Sequence, residues 1–153
     1  MFVSVLAVVV ILVGVVVING SGTENMPGAQ GAAITVYKSP TCGCCDNYVA
    51  YLKRRGLAVT VVDELDLAPI KMQYKIPGEL QSCHTAVIGG YVVEGHIPTE
   101  VIQKLLDEKP DIAGIALAGM PMGSPGMPGG KSGQFMIHAI AETGEDNGVF
   151  IEY

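Results

Sequence analysis

Three cysteines fall within four residues, Cys42-Gly43-Cys44-Cys45, at the point where the hydrophobic period of the chain changes. Before them, Ala33–Tyr37 (AITVY) is a short β-branched run, the pattern of a buried strand. After them, Cys45, Val49 and Leu52 recur at i, i+4 and i+7, which marks a helix over residues 43–55 with Arg54, Arg55 and Gly56 suited to its end. A strand feeding a helix through this run puts the thiols at a helix N-terminus, where free N–H groups and a partial positive charge favour thiolate over thiol. Cys42 and Cys45, three residues apart, can share one side of the first turn while Cys44 points elsewhere, so three sulfurs fan out around one small volume. Packing alone is a poor reason to put three cysteines there.

The segments that follow continue an α/β pattern. Ala58–Val62 reads as a second strand and residues 66–75 as a short helix that ends before Pro77-Gly78. Thr85–Ile88 and Tyr91–Glu94 flank Gly89-Gly90 as a hairpin. Pro98 opens a helix that runs to about Asp107, with Lys109 late. The order β-α-β-α-β-β-α predicts two parallel strands joined by a helical crossover, then an antiparallel hairpin. That order matches a thioredoxin-like domain, a mixed sheet with flanking helices, over residues 33–110. Residues 111–153 form an extension. Its first part, AGIALAGMPMGSPGMPGG over 113–130, is rich in Gly, Pro and Met and reads as an irregular loop. Residues 134–141 and 148–153 alternate enough for a closing hairpin.

Residues 1–18 (MFVSVLAVVVILVGVVVI) are interrupted only by Ser4 and Gly14. As a helix they would span about 27 Å, close to the hydrocarbon thickness of about 30 Å. A cleaved signal peptide usually carries a basic n-region and an A-x-A-like site. This run shows neither, and it reads first as an uncleaved membrane anchor. A poorly marked signal peptide and an apolar core helix are the alternatives. Both membrane readings send the chain beyond it to the periplasmic or cell-surface side of the cytoplasmic membrane. Residues 19–32 form a Gly-rich tether. The formal net charge is −6, with most of the acidic excess in 111–153. A chain of that sign, without clustered Lys and Arg, is not built for nucleic acid.

A second cysteine cluster, Ser82-Cys83-His84-Thr85, stands at the start of the third strand. A thioredoxin-like oxidoreductase normally has a proline just before that strand, facing its dithiol. This chain supplies Cys83 and His84 there instead. Two functions compete. Cys42 and Cys45 have the C-x-x-C spacing of a redox dithiol. The extra Cys44 and the Cys83-His84 pair favour a soft metal. His96, in Glu94-Gly95-His96-Ile97-Pro98, would on its own be read as a surface residue. Met120, Met122 and Met127 lie in the Gly/Pro loop, where core packing explains them poorly. Thiolate with thioether selects Cu(I), while zinc would use Cys and His without needing Met. His138 has no partner motif and reads as structural.

These pieces resemble the bacterial CopG-like copper-resistance and metal-binding family, long classed as a domain of unknown function. The resemblance rests on Tyr37-Lys38-Ser39-Pro40 with the C-x-C-C run, Ser82-Cys83-His84-Thr85-Ala86, and Gly90-Tyr91 followed by Glu94-Gly95-His96-Ile97-Pro98. It extends to Gly119-Met120-Pro121 and Gly123-Ser124-Pro125-Gly126-Met127, so it covers residues 33–127 in order. It implies a thioredoxin-like fold, an extracytoplasmic setting and Cu(I) binding, with a multinuclear thiolate cluster and a change of copper's oxidation state as further expectations. By motif, Cys42, Cys44 and Cys45 would be thiolate ligands. Cys83 would be a ligand or a disulfide partner, and His84, His96, Met120, Met122 and Met127 would be further candidate ligands. Tyr48 departs from the family, which commonly has Trp there, but keeps an aromatic wall beside the site.

The expectation is therefore a membrane-tethered, outward-facing Cu(I)-binding protein in copper tolerance or handling, with a copper exporter or another copper-handling protein as its partner. The alternative is a thioredoxin-like thiol-disulfide or copper oxidoreductase using the same cysteines. Sequence leaves the metal-free disulfide pairing open among three full pairings. A Cys42–Cys83 bond is one expectation among them.

Overall fold

The computed structural model describes residues 31–153. The expected anchor, residues 1–18, and nearly all of the tether lie outside the described residues. Among the described residues, no helix is long and apolar enough to cross a membrane.

Among the described residues the fold is mixed α/β, with a seven-stranded sheet, three α-helices and a 3-10 turn at Gly78–Leu80. In chain order the elements are β1 (Ala33–Lys38), α1 (Gly43–Arg54), β2 (Ala58–Asp63), α2 (Ala68–Gln73), β3 (His84–Ile88), β4 (Tyr91–Glu94), α3 (Thr99–Glu108), β5 (Gly114–Ala116), β6 (Met136–Ile140) and β7 (Asp146–Glu152). In space the strands run β2-β1-β3-β4-β5-β6-β7. β1 and β2 are parallel, as the α1 crossover requires, and β3 runs antiparallel to both β1 and β4.

Cross-strand partners share a face of the sheet. Ile34 and Val36 of β1 oppose Ile88 and Ala86 of β3. All four are buried with Tyr48 and Leu52 of α1 and with Val101, Ile102 and Leu105 of α3. This is the main core. Each such aliphatic side chain contributes about 1.5–3 kcal/mol by leaving water. The other face holds a smaller core of Ile76, Leu80, Val92, Ala116 and Ile140.

The sheet does not stop at the hairpin. Gly114–Ala116, expected to lie in an irregular loop, is a buried strand that pairs parallel to β4 and antiparallel to β6. The closing hairpin expected from alternation forms as β6 and β7, and through β5 it joins the same sheet. Gly114 makes this junction feasible: a Cβ there would stand 2.1 Å from the Val92 carbonyl oxygen. His138 lies on β6 and meets Asp146 of β7 at 2.9 Å, a surface pair away from the cysteines.

Candidate metal centre

β1 ends at Lys38, and the turn through Ser39 closes with the Cys42 N–H donating to the Ser39 carbonyl at 3.1 Å. Lys38 is buried and reaches Asp46 of α1 and Asp63 of β2, each at 2.9 Å, which ties the turn to the helix it feeds. Cys42 is the N-cap of α1, so the C-x-C-C run occupies the helix N-terminus as the sequence predicts. Across from it, Cys83 immediately precedes β3 and His84 is the first residue of that strand. His96 lies between β4 and α3.

These elements bring the four cysteines together. Cys42 Sγ is 3.5 Å from Cys44 Sγ, Cys44 Sγ is 3.8 Å from Cys83 Sγ, and Cys45 Sγ is 3.4 Å from Cys83 Sγ. Cys42 and Cys45 are joined as a disulfide, and Cys44 and Cys83 are free thiols. The expected Cys42–Cys83 pairing is therefore not the one present. The i, i+3 positions put the Cα atoms of Cys42 and Cys45 5.3 Å apart, within the usual disulfide range. Cys83 belongs to two donor groups at once. One is Cys42, Cys44, Cys45 and Cys83; the other is Cys83, His84 and His96; within each, the ligand atoms lie within 4.8 Å of one another.

Both histidines are fully buried, which overturns the surface reading of His96. Cys83 Sγ lies 3.4 Å from His84 Nδ1 and 3.2 Å from His96 Nε2. His96 Nδ1 donates to the Pro125 carbonyl at 2.7 Å. A carbonyl only accepts, so Nδ1 carries the proton and the Nε2 lone pair faces Cys83. This is how an imidazole ligand is commonly oriented by its other nitrogen. Pro125 is in the Gly/Pro/Met loop. No side-chain motif could have singled it out, because the group it supplies is backbone.

Burial decides the charge states. It lowers the pKa of His84 from the ordinary 6.5 to about 3, helped by the positive charge that His96 would carry when protonated and by that of Lys71. Burial also lowers that of His96, against the Pro125 hydrogen bond. Both imidazoles are thus neutral and able to coordinate. Burial, then the nearby Cys44, pushes the Cys83 thiol up to about 12, so a metal binding there must displace its proton. His84 Nε2 is buried with no hydrogen-bond partner among the described residues. Tyr48 forms the wall expected of it. Its ring centroid lies 4.6 Å from that of His84 and 5.3 Å from that of His96, and its hydroxyl donates to the Ile97 carbonyl at 2.9 Å.

The methionines are placed differently. Met120 and Met122 are exposed, at 50% and 60% of their surface, whereas Met127 is half-buried and shares a surface groove with Cys44, Asn47 and Arg54. Gly126 sets the loop against α1. Its φ is +87°, and a Cβ there would stand 2.7 Å from the Tyr48 nitrogen.

Residues 80–127 match a family model described as "Protein of unknown function, DUF411". No curated protein matches the chain. Two solved structures, titled copper resistance protein copG in a Form 1 and a Form 2, are each 38% identical to it over 81% of its length. The similarity covers 98% and 99% of those chains, with TM-scores of 0.73 and 0.74.

Proposed function

This chain belongs to the family of the copper resistance protein CopG, and from that premise we propose that it is an extracytoplasmic, membrane-tethered Cu(I)-binding protein of copper tolerance or handling. The observation that carries the reading is the convergence of four cysteine sulfurs and two neutral imidazoles on Cys83. Copper is the cargo. Reduction of Cys42–Cys45 adds two thiolates to those of Cys44 and Cys83. One Cu(I) is satisfied by two or three soft ligands, so the set has donors for more than one ion. Met127, which shares a groove with Cys44, and the exposed Met120 and Met122 are outlying thioethers. Zinc fits the Cys and His donors but gains nothing from the thioethers. The strand order β2-β1-β3-β4, with its parallel and antiparallel pairs, supports a thioredoxin-like core over 33–110. The apolar run of residues 1–18 supports an anchor in the cytoplasmic membrane and, with it, delivery to or from a copper exporter or another copper-handling protein.

One observation favours a second reading, a copper or thiol oxidoreductase: a disulfide with a free thiol 3.4 Å from one of its sulfurs. The balance is simple. Reducing one disulfide to two thiols takes two electrons and two protons, and two Cu(I) becoming two Cu(II) supply the electrons.

An anaerobic titration of the reduced full chain in detergent against a coloured Cu(I) chelator, with zinc alongside, tests the first reading. We expect uptake of more than one Cu(I) per chain, weaker zinc binding, and loss of tight Cu(I) binding in the C42S/C44S/C45S variant. Undiminished binding by that variant, or failure of the wild type to take Cu(I) from a weak chelator, would overturn it.

A further inference from the structure

The sheet face opposite His84 carries a group that copper binding does not use directly. Glu94, the last residue of β4, is fully buried although it is a carboxylate. Its neighbour across the strands is Thr85. Glu94 Oε2 accepts the Thr85 hydroxyl at 2.7 Å, and Oε1 accepts the Ser82 backbone N–H at 2.7 Å. Oε1 also meets the ammonium of Lys71, which comes from α2, is itself buried, and donates to Thr85 Oγ1 at 3.2 Å. Ser82 and Thr85 are the residues on either side of Cys83-His84. One buried carboxylate therefore grips both flanks of the ligand pair. Thr85 faces Glu94, so strand alternation turns His84 to the other face, toward Tyr48 and α1.

A buried ion pair is a poor choice if stability is the only requirement, because apolar residues of similar volume commonly serve as well or better. What the carboxylate supplies and an apolar side chain cannot is a pair of directed acceptors. This chain also has Cys83 where a thioredoxin-like oxidoreductase has the proline that shapes the approach to this strand. We infer that Glu94 is the positioning residue of the centre: by holding the Ser82 N–H and the Thr85 hydroxyl, it does through hydrogen bonds what that proline does through its ring, and so aims Cys83 and His84 at the C-x-C-C helix start. The inference rests on the copper-binding reading above.

The test compares two variants of the full chain in detergent, both with the charges of the pair removed. K71M/E94Q keeps a carbonyl oxygen able to accept from Ser82, and K71M/E94L does not. Cu(I) affinity by chelator competition is read with the imidazole signal in the copper X-ray absorption spectrum. In the metal-free, disulfide-bonded protein, the alkylation rate of Cys83 is mapped by mass spectrometry with Cys44 as the internal reference. We expect K71M/E94L to melt like the wild type but to bind Cu(I) about tenfold or more weakly, as loss of a ligand-orienting group typically does. Its imidazole signal should fall and its Cys83 should alkylate faster, and K71M/E94Q should recover most of all three. Wild-type affinity and alkylation in a folded K71M/E94L would overturn the inference. If K71M/E94L does not fold, T85V carries the test. It removes one of the two grips, and an unchanged imidazole signal and alkylation rate would overturn the inference equally. Failure of the wild type to bind Cu(I) would instead sink the copper reading, while the alkylation arm would still report on the positioning of Cys83.

Discussion

The cysteine-histidine junction and the methionine loop carry the same kind of sulfur-rich sequence, yet the fold treats them in opposite ways. At the junction, Cys83, His84 and His96 are held by β3, by the β4–α3 turn and by the N-terminus of α1. Both imidazoles are buried and their distances to sulfur are short. In the loop, Met120 and Met122 are exposed, and the hydrogen bond made to a donor side chain is accepted by the carbonyl of Pro125. The junction offers side chains, whereas the loop offers backbone. The loop therefore acts on the centre mainly through where it lies.

The largest effect that separates the two regions is on stability against pH. Folding lowers the His84 pKa to about 3 from 6.5, so between those values the unfolded chain takes a proton that the folded chain refuses. Stability from this group is then fully present above about pH 6.5 and falls as pH drops toward 3, by on the order of 5 kcal/mol in the limit. Glu94 works the other way, because burial raises its pKa and the folded state takes that proton first. Comparing the wild type with His84→Gln isolates the histidine. Denaturant midpoints of the metal-free protein at pH 7 and pH 4 should separate far more for the wild type. Equal separation would mean that His84 is not desolvated as its burial implies.

A smaller effect should follow when the loop is moved without touching a donor side chain. Gly126→Ala adds a Cβ 2.7 Å from the Tyr48 nitrogen, at a φ of +87°. The loop must lift from α1, and the Pro125 carbonyl should leave His96 with it. Orienting contacts of this kind are worth about tenfold in metal affinity, or about 1.4 kcal/mol. Chelator competition should show that loss with the Cu(I) stoichiometry unchanged. Full affinity would show that His96 is oriented without the loop.

The same contrast explains what could be read from sequence. The order from β1 to α3, the parallel first pair and the hairpin at Gly89-Gly90 were legible because each follows from local period and turn chemistry. The two cysteine clusters were legible for the same reason: each lies at the end of a readable element. β5 was hidden because three residues in a Gly-rich stretch have no period of their own and become a strand only between β4 and β6. The burial of His96 depends on elements distant in sequence, so its local setting pointed the wrong way. The Lys71–Glu94 pair spans α2 and β4, and the Pro125 contact is backbone; neither leaves a motif. The disulfide was open because three pairings suit four cysteines on paper, and only the helix start brings Cys42 to Cys45.

The smallest effect is expected where the sequence is most suggestive. Met120 and Met122 are the thioethers that read most readily as soft ligands, yet half or more of each side chain faces solvent. M120L/M122L keeps volume and apolar character and removes only the two sulfurs. If the loop works mainly through its backbone, Cu(I) affinity should fall by less than about threefold, which is about 0.6 kcal/mol. Met127 is the internal control, since it is half-buried in the groove that it shares with Cys44. M127L should therefore cost more affinity than the double variant and should also slow the transfer of Cu(I) from a chelator. A larger loss in M120L/M122L than in M127L would reverse the comparison, because the exposed thioethers would then have to fold back onto the thiolates when copper arrives.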